Sequence, residues 1–332
     1  MGRFVLHSAP RTPHRFRSAV CIGSVELSTF YIYGMYDTII VGGGPAGLSG
    51  ALVLARARRR VLLFDNGQQR NRWSSGMHGF LSRDGIRPPE FLEIGRQEVR
   101  HYGGEIRSGL VTAITPIESG FRVRIEEEDQ TLDARTILLA TGVVDRIPKI
   151  PGIMELYGRS VHHCPYCDGW EERDKALAVY GRGSSGFGLA LSLKTWSPDV
   201  ILCTDGTPRI SLEDQGRLAR HGITIHHGKI AQLEGEDGRL QRIIFRNGDV
   251  IERDSLFFTT GQDQSSGLAA SLGCRFTKKG AVWTNTGECT SVPGIYVAGD
   301  ASRDAQMVIV AAAEGAKAAV TINTELTRQE RI

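Results

Sequence analysis

No apolar run in the sequence has the length of a comfortable membrane span. The longest, Ala19 to Gly34, is interrupted by Glu26 and falls short of the ~20 residues a hydrocarbon core requires. Cysteine is also sparse, with six in 332 residues, and four of them (Cys21, Cys203, Cys274 and Cys289) lie far apart. That spacing excludes the dense bridging of a small secreted domain and points to a reducing, cytoplasmic setting. These four read as buried apolar side chains. A charge excess of one sign is missing too: 40 basic residues face 37 acidic ones, scattered along the chain, which leaves no electrostatic case for a nucleic-acid partner.

What is abundant is glycine, 40 residues of it, set in short turns between runs of Val, Ile, Leu and Ala. That alternation favours an α/β design, and the length suits about two domains. Residues 1–34 match nothing that follows. With four Arg, no Lys and the single acid Glu26, they read as a transit peptide, a membrane-seeking stretch, or a start codon taken too early with Met35 as the true start. The last is the favoured expectation, the extension being otherwise disordered.

From Tyr36 the chain reads YDTIIVGGGPAGLSGALVLARARRRVLLFDNG, an apolar strand, a glycine turn, a helix and a second strand ending at Asp65. Gly42, Gly44 and Gly47 have the GxGxxG spacing of a dinucleotide site: one glycine for the tight turn, one for close approach to a pyrophosphate, one for packing of helix on strand. The phosphates would rest on the helix N-terminus. Asp65, roughly twenty residues on, is placed to bond a ribose hydroxyl. A second such unit starts at Ala176, where Gly181, Gly183 and Gly186 repeat the spacing. Here Arg182 stands between the glycines and Ser184 and Ser185 fill the turn, so the site reads equally as a glycine turn without a ligand.

TILLATGVVD (Thr136 to Asp145) and IYVAGDAS (Ile295 to Ser302) both read as strand then turn, and both belong with the first unit. Asp300 precedes an Ala-rich helix expected over Gln306 to Leu326. A carboxylate there can cap that helix or hold a ribityl hydroxyl of a flavin, with the helix N-terminus facing the cofactor. Since the first unit has elements at both ends of the chain, the second must be inserted into it. The expected fold is therefore α/β, two nested Rossmann-like dinucleotide-binding domains: 35–145 and 262–332 bind FAD, and 146–261 is an inserted NAD(P)-type domain that carries the motif HHCPYCDGWEE.

In that motif Cys164 and Cys167 are spaced as a CxxC followed directly by Asp168. At a helix start the dipole and free amides favour a thiolate, and the leaving thiolate of a disulfide exchange wants a proton donor. Asp168 is one candidate and His163 a second. A zinc site built from His162, Cys164 and Cys167 lacks a further soft ligand nearby in sequence. The small thioredoxin-like fold in which CPYC also opens a helix has no room before a dinucleotide unit. A plain structural pair of thiols is the remaining alternative.

The succession GGGPAG, ATG, CPYCDG, a second glycine motif and AGD, running in order from Met35 to the C-terminus, resembles the low-molecular-weight thioredoxin reductases. The stretch FDNGQQRNRWSSGMHGFLSRDG resembles the branch of that family with dithiol oxidases and atypical reductases. The resemblance implies a homodimer in which the inserted domain carries the CxxC and nicotinamide site. Cys167 would lie nearer the flavin, Cys164 would meet the substrate disulfide, and Asp168 would be the acid. FAD contacts would include Pro45, Ala46, Asn71, Thr141, Gly142, Gly299, Asp300, Met307 and Val308. The partner would be a thioredoxin-like protein or a small dithiol or disulfide. Where reductases that use NADPH carry an arginine cluster, this chain reads ILCTDGTPRISLED. An acid such as Asp205 suits a free ribose hydroxyl and repels a 2′-phosphate, so NADPH use is in doubt and NADH, or no nicotinamide, is the expectation.

The leading functional reading is an FAD-dependent thiol/disulfide oxidoreductase working through Cys164 and Cys167. The runner-up is an oxygen-dependent dithiol oxidase. A flavin-binding redox sensor without turnover, and a reductase without a dithiol step, complete the field.

Overall fold

The computed structural model describes residues 34–126, 131–302 and 305–331. Cys21 and the segment before Gly34 lie outside the described residues. The elements, in chain order, begin with β1 (Tyr36–Val41), α1 (Pro45–Arg56), β2 (Val61–Asp65), α2 (Pro88–His101), β3 (Glu105–Ser108), β4 (Val111–Ile117), β5 (Gly120–Ile125), β6 (Thr131–Leu139) and β7 (Val143–Asp145). There follow α3 (Ile153–Leu156), β8 (Val161–His162), α4 (Pro165–Asp168), β9 (Leu177–Tyr180), α5 (Gly183–Leu193), β10 (Val200–Cys203), α6 (Leu212–Arg220) and β11 (Thr224–His226). The last are β12 (Ile230–Glu236), β13 (Arg239–Phe245), β14 (Val250–Glu252), β15 (Ser255–Phe258), β16 (Gln262–Gln264), α7 (Leu268–Ser271), β17 (Ile295–Val297) and α8 (Val308–Glu330).

The larger sheet has the order β3-β2-β1-β6-β5-β4, with β17 also paired to β6. β3, β2, β1, β6 and β17 run parallel, and β5 and β4 add an antiparallel edge. β1 and β2 are near-continuous apolar runs because both faces are covered, one by α1, α2 and α8 and the other by residues of β4, β5 and α7. Between β1 and β6 the buried hydroxyls of Thr38 and Thr136 pair at 2.9 Å. One core holds Ile39, Phe64, Ile137 and Val297 on one face, and another holds Ile40, Leu54, Leu63 and Leu138 on the other.

α1 starts at Pro45, whose ring suits the first helical position. α8 buries a stripe, Ala311, Glu314, Gly315, Ala318, Ala319, Ile322 and Leu326, at helical spacing. It lies against α1 at a separation only glycine permits: a Cβ on Gly315 would fall 1.9 Å from the Ala46 carbonyl oxygen. The helix begins two residues later than the sequence suggests and runs to Glu330. Gln306 is drawn away by Arg70, 2.6 Å from its Oε1, and Met307 takes the extended capping conformation.

The smaller sheet, β11-β10-β9-β15-β8, is parallel throughout. It has its own cores, one around Val161, Ile201 and Phe258 and one around Val179, Leu202 and Phe257. The antiparallel sheet β12-β13-β14 packs beside it. The chain enters and leaves this region side by side: β7 and β16 pair antiparallel, with Asp145 opposite Gln262, and Arg146 N–H donates to Gly261 C=O at 3.0 Å. Two nested Rossmann-like units of parallel sheet are thus the observed architecture. Among the described residues no helix is long and apolar enough to cross a membrane.

Candidate functional site

The main cleft opens at the carboxyl ends of β1, β6 and β17, where crossovers leave the larger sheet in opposite directions and ligands of such folds bind. Its floor is the first glycine turn. Gly42 has φ 115°, and a Cβ there would lie 2.2 Å from the Ala140 carbonyl oxygen. A Cβ on Gly47 would strike the Gly42 oxygen at 1.9 Å, and one on Gly43 would meet the Asp65 carboxyl at 2.2 Å. Gly44 differs, since a Cβ on it would meet nothing within 4 Å because it faces the cleft.

Gly42, Gly44, Pro45, Ala46, Asp65, Asn71, Thr141, Gly142, Gly299, Asp300, Met307 and Val308 all line this one cleft. Gly47 lies beneath it as a packing residue. Asp65 accepts hydrogen bonds from Gly67 N–H at 2.9 Å, from Gln69 Nε2 at 2.9 Å and from Arg96 at 3.1 Å. Gly299 N–H donates to the buried Glu314 at 2.8 Å. A side-chain-free turn at a helix start, facing the cleft, with a carboxylate at the end of the next strand, fits the flavin dinucleotide expected from sequence.

Sequence reading missed the charge cluster on the cleft wall. Arg70 bonds Asp145 through Nε at 2.8 Å and Nη2 at 2.5 Å, and Asp300 through Nη1 at 3.0 Å. Burial pushes the Asp145 carboxyl up, but Arg70, with help from His163 and Tyr157, outweighs it and holds the group below the usual carboxylate range. For Asp300 burial wins over Arg70 and the proton affinity is raised. Asp300 is therefore neither a helix cap nor a free carboxylate. Tyr157 donates to Asp145 at 3.0 Å and stands 3.4 Å from His163 Nδ1. Burial lowers the proton affinity of His163, against the pull of Asp145. No local pattern announces Arg70, because its partners are 75 and 230 residues away.

Cys164 and Cys167 form a disulfide with Cα atoms 5.3 Å apart. Cys164 caps α4, which is only one turn long, so any dipole on the thiols is weaker than a full helix provides. Cys167, Asp168, His162 and His163 line the same cleft as the glycine turn, and Cys164 does not. Asp168 Oδ1 lies 3.3 Å from Nδ1 of His162, a buried ring packed on Phe257. The sequence reading offered His162 only as a zinc ligand. From the first unit, His78 reaches Glu171 at 3.5 Å. Tyr166 and Trp170 beside the disulfide are exposed. The remaining described cysteines are free, and burial pushes the Cys203 thiol up to about 12 and raises Cys274 and Cys289 as well.

The second glycine turn lies apart from this cleft, at the end of β9. Gly186 packs on Gly181, where a Cβ would lie 2.6 Å from the Gly181 carbonyl carbon. Gly183 has φ 60° and its N–H donates to Pro208 C=O at 2.8 Å. Asp205 follows β10 and is engaged by Arg182 at 3.2 Å.

A family profile described as pyridine nucleotide-disulphide oxidoreductase matches residues 36–315. A probable thioredoxin reductase of Arthroderma benhamiae is 32% identical over 330 residues, covering 89% of this chain and 81% of that protein. Thioredoxin reductase tcpT of Claviceps purpurea is 32% identical over 276 residues, with 80% and 86% covered. Among solved structures, a putative thioredoxin reductase TrxB from Bacillus anthracis superposes with a TM-score of 0.83 at 35% identity, over 90% of this chain and all 100% of that one. The structure titled HlmI matches at TM-score 0.83 and 35% identity, over 89% and 94%.

Proposed function

This chain belongs to the pyridine nucleotide-disulphide oxidoreductase family as a thioredoxin-reductase-like flavoprotein disulfide oxidoreductase, and on that footing we propose that it passes electrons between bound FAD, the Cys164/Cys167 pair and an external thiol or disulfide. The observation that carries the reading is the placement of Cys167 in the cleft floored by Gly42 to Ala46. Residues 35–145 and 262–332 form the FAD-binding domain, and 146–261 the inserted domain that presents the dithiol.

Gly44, Pro45 and Ala46 hold the pyrophosphate, Asp65 the adenosine ribose, and Asn71, Thr141, Gly142, Gly299, Asp300, Met307 and Val308 surround the flavin end. Bound FAD supplies a two-electron acceptor and donor. Arg70 fixes Asp145 and Asp300 in the wall of this cleft. On the other side of the pair, an external thiolate attacks Cys164 Sγ, the Cys164–Cys167 bond breaks, and Cys167 leaves as a thiolate into the cleft. A second external thiol then displaces Cys164, so the external dithiol becomes a disulfide and the protein pair a dithiol. The reverse sequence reduces an external disulfide. Asp168, steadied by His162, and His163, whose proton affinity burial lowers, hold and release the protons.

A second reading, an oxidase that closes a disulfide in a small molecule and returns electrons to dioxygen, is favoured by the bonding at the second glycine turn. The primary reading is tested by anaerobic addition of dithiothreitol while the oxidised-flavin absorption is followed. Bleaching is expected in the native protein and its loss in Cys164→Ser and Cys167→Ser. A native protein that never bleaches defeats the proposal.

A further inference from the structure

A glycine turn binds a dinucleotide when its helix-start amide is open to phosphate and the acid after the next strand is open to ribose. In the second unit both positions are filled from within. The amide of Gly183 already donates to the Pro208 carbonyl at 2.8 Å. The guanidinium of Arg182 donates to the backbone carbonyls of Thr204 and Asp205 and lies 3.2 Å from Asp205 Oδ2. Asp205 Oδ1 accepts from Ile230 N–H at 3.1 Å, and the Tyr180 hydroxyl reaches Oδ2 at 3.5 Å. Left-handed backbone at Asp205, Gly206 and Arg209 (φ 51°, 121° and 56°) curls the segment back over the turn, where the Arg209 carbonyl oxygen would sit 3.7 Å from a Cβ on Gly183.

We infer that Arg182 and the segment Asp205 to Arg209 close this turn, so that the chain takes up neither NADPH nor NADH and electrons enter its flavin from a dithiol. An incoming pyrophosphate would have to break the Gly183–Pro208 bond and displace carbonyl oxygens whose partial charge repels it. An incoming ribose would have to take Asp205 from Arg182, Tyr180 and the Ile230 amide. A 2′-phosphate would meet the Asp205 carboxylate as well. The residues of the second unit thus do not fit the nucleotide that the family's description names, although its glycine spacing does.

The inference rests on the proposed exchange between flavin and dithiol, and one set of measurements on the full FAD-loaded protein keeps the two separable. Under anaerobic conditions NADPH and NADH are each titrated against the flavin absorption. In a calorimeter both nucleotides and ADP-ribose, as a non-reducing probe, are titrated against the same sample. The expected result is no bleaching and no saturable heat from any of them, followed by full bleaching with dithiothreitol. Bleaching or saturable heat from either nucleotide overturns the inference. Failure of dithiothreitol alone overturns the dithiol reading instead. Deletion of Thr207 to Arg209 joined to Arg182→Ala, checked for native thermal unfolding, takes away both the Pro208 carbonyl and the guanidinium and is expected to acquire saturable NADH binding at least about tenfold tighter than the wild-type limit. A folded variant that stays silent shows that these residues are not what closes the turn.

Discussion

The two glycine turns share a spacing and differ in what their middle glycine touches. Both end a parallel strand, and both pack their last glycine against their first, Gly47 on Gly42 and Gly186 on Gly181. Gly44 faces a cleft with nothing within 4 Å of a Cβ, whereas Gly183 donates its amide to Pro208. Each turn also has an arginine. Arg70 is 16% exposed and bridges two carboxylates across the first cleft. Arg182 is 39% exposed and is tied to the chain's own carbonyls. Identical motifs therefore support different chemistry, because the packing geometry of a GxGxxG and its openness to a ligand are separate properties.

The strongest way to break the comparison acts where only the first turn has a disulfide beside it. Cys164→Ser or Cys167→Ser is expected to slow flavin reduction by a dithiol on the order of 10³-fold or more, since the covalent relay is lost. Stopped-flow absorbance measures this, and an unimpaired rate would remove the dithiol from the first cleft's function.

Next in size is the contrast between the arginines. Arg70→Ala strands Asp145 and Asp300 in a buried site and is expected to cost about 3 kcal/mol. Arg182→Ala, half-exposed and bonded mostly to backbone, is expected to cost less than about 1 kcal/mol. Urea unfolding of both variants gives the difference, and equal costs would erase the distinction.

Smaller effects separate packing from binding. Gly47→Ala and Gly186→Ala both force a Cβ into backbone and are expected to lose about 1–3 kcal/mol each. Gly44→Ala meets no protein atom and has an ordinary φ of −77°, so its stability should hold while its FAD content falls. Gly183→Ala at φ 60° should lose about 1 kcal/mol from left-handed strain and keep its FAD. Flavin-to-protein absorbance ratios and unfolding midpoints decide this pair.

The smallest effect is a pH slope. His163 has its proton affinity lowered by burial beside the first cleft. The unfolded chain therefore binds the proton more readily, and stability is lost as pH falls below about 6.5, the unfolded value. In His163→Gln that slope should flatten, as thermal unfolding between about pH 6.5 and 5 would show.

Much of the fold was legible because its signals are local. Continuous apolar strands such as TIIV and VLLF, each followed by a glycine turn, mark parallel strands covered on both faces. The candidate flavin contacts named from motif all fall on or under one cleft, because each lies just after a strand whose end is fixed by sheet order. Arg70, Tyr157 and the pairing of His162 with Asp168 were not legible in those roles. Their meaning lies in contacts made by the folded chain, and Arg70 binds Asp145 across 75 residues and Asp300 across 230. The start of α8 slipped for the same reason, with Gln306 taken by Arg70.

By itself the sequence determined the two βαβ units, the insertion of one within the other and which two cysteines pair, since periodicity, glycine spacing and CxxC are properties of neighbours along the chain. Only the tertiary structure decided that Arg70 ties Asp145 and Asp300 together, that Asp300 is paired and not a cap, and that Pro208 and Asp205 lie over the second turn. Those outcomes depend on which residues distant along the chain compete for the same hydrogen bond, and a donor in a GxGxxG is spoken for only once the rest of the chain has folded against it.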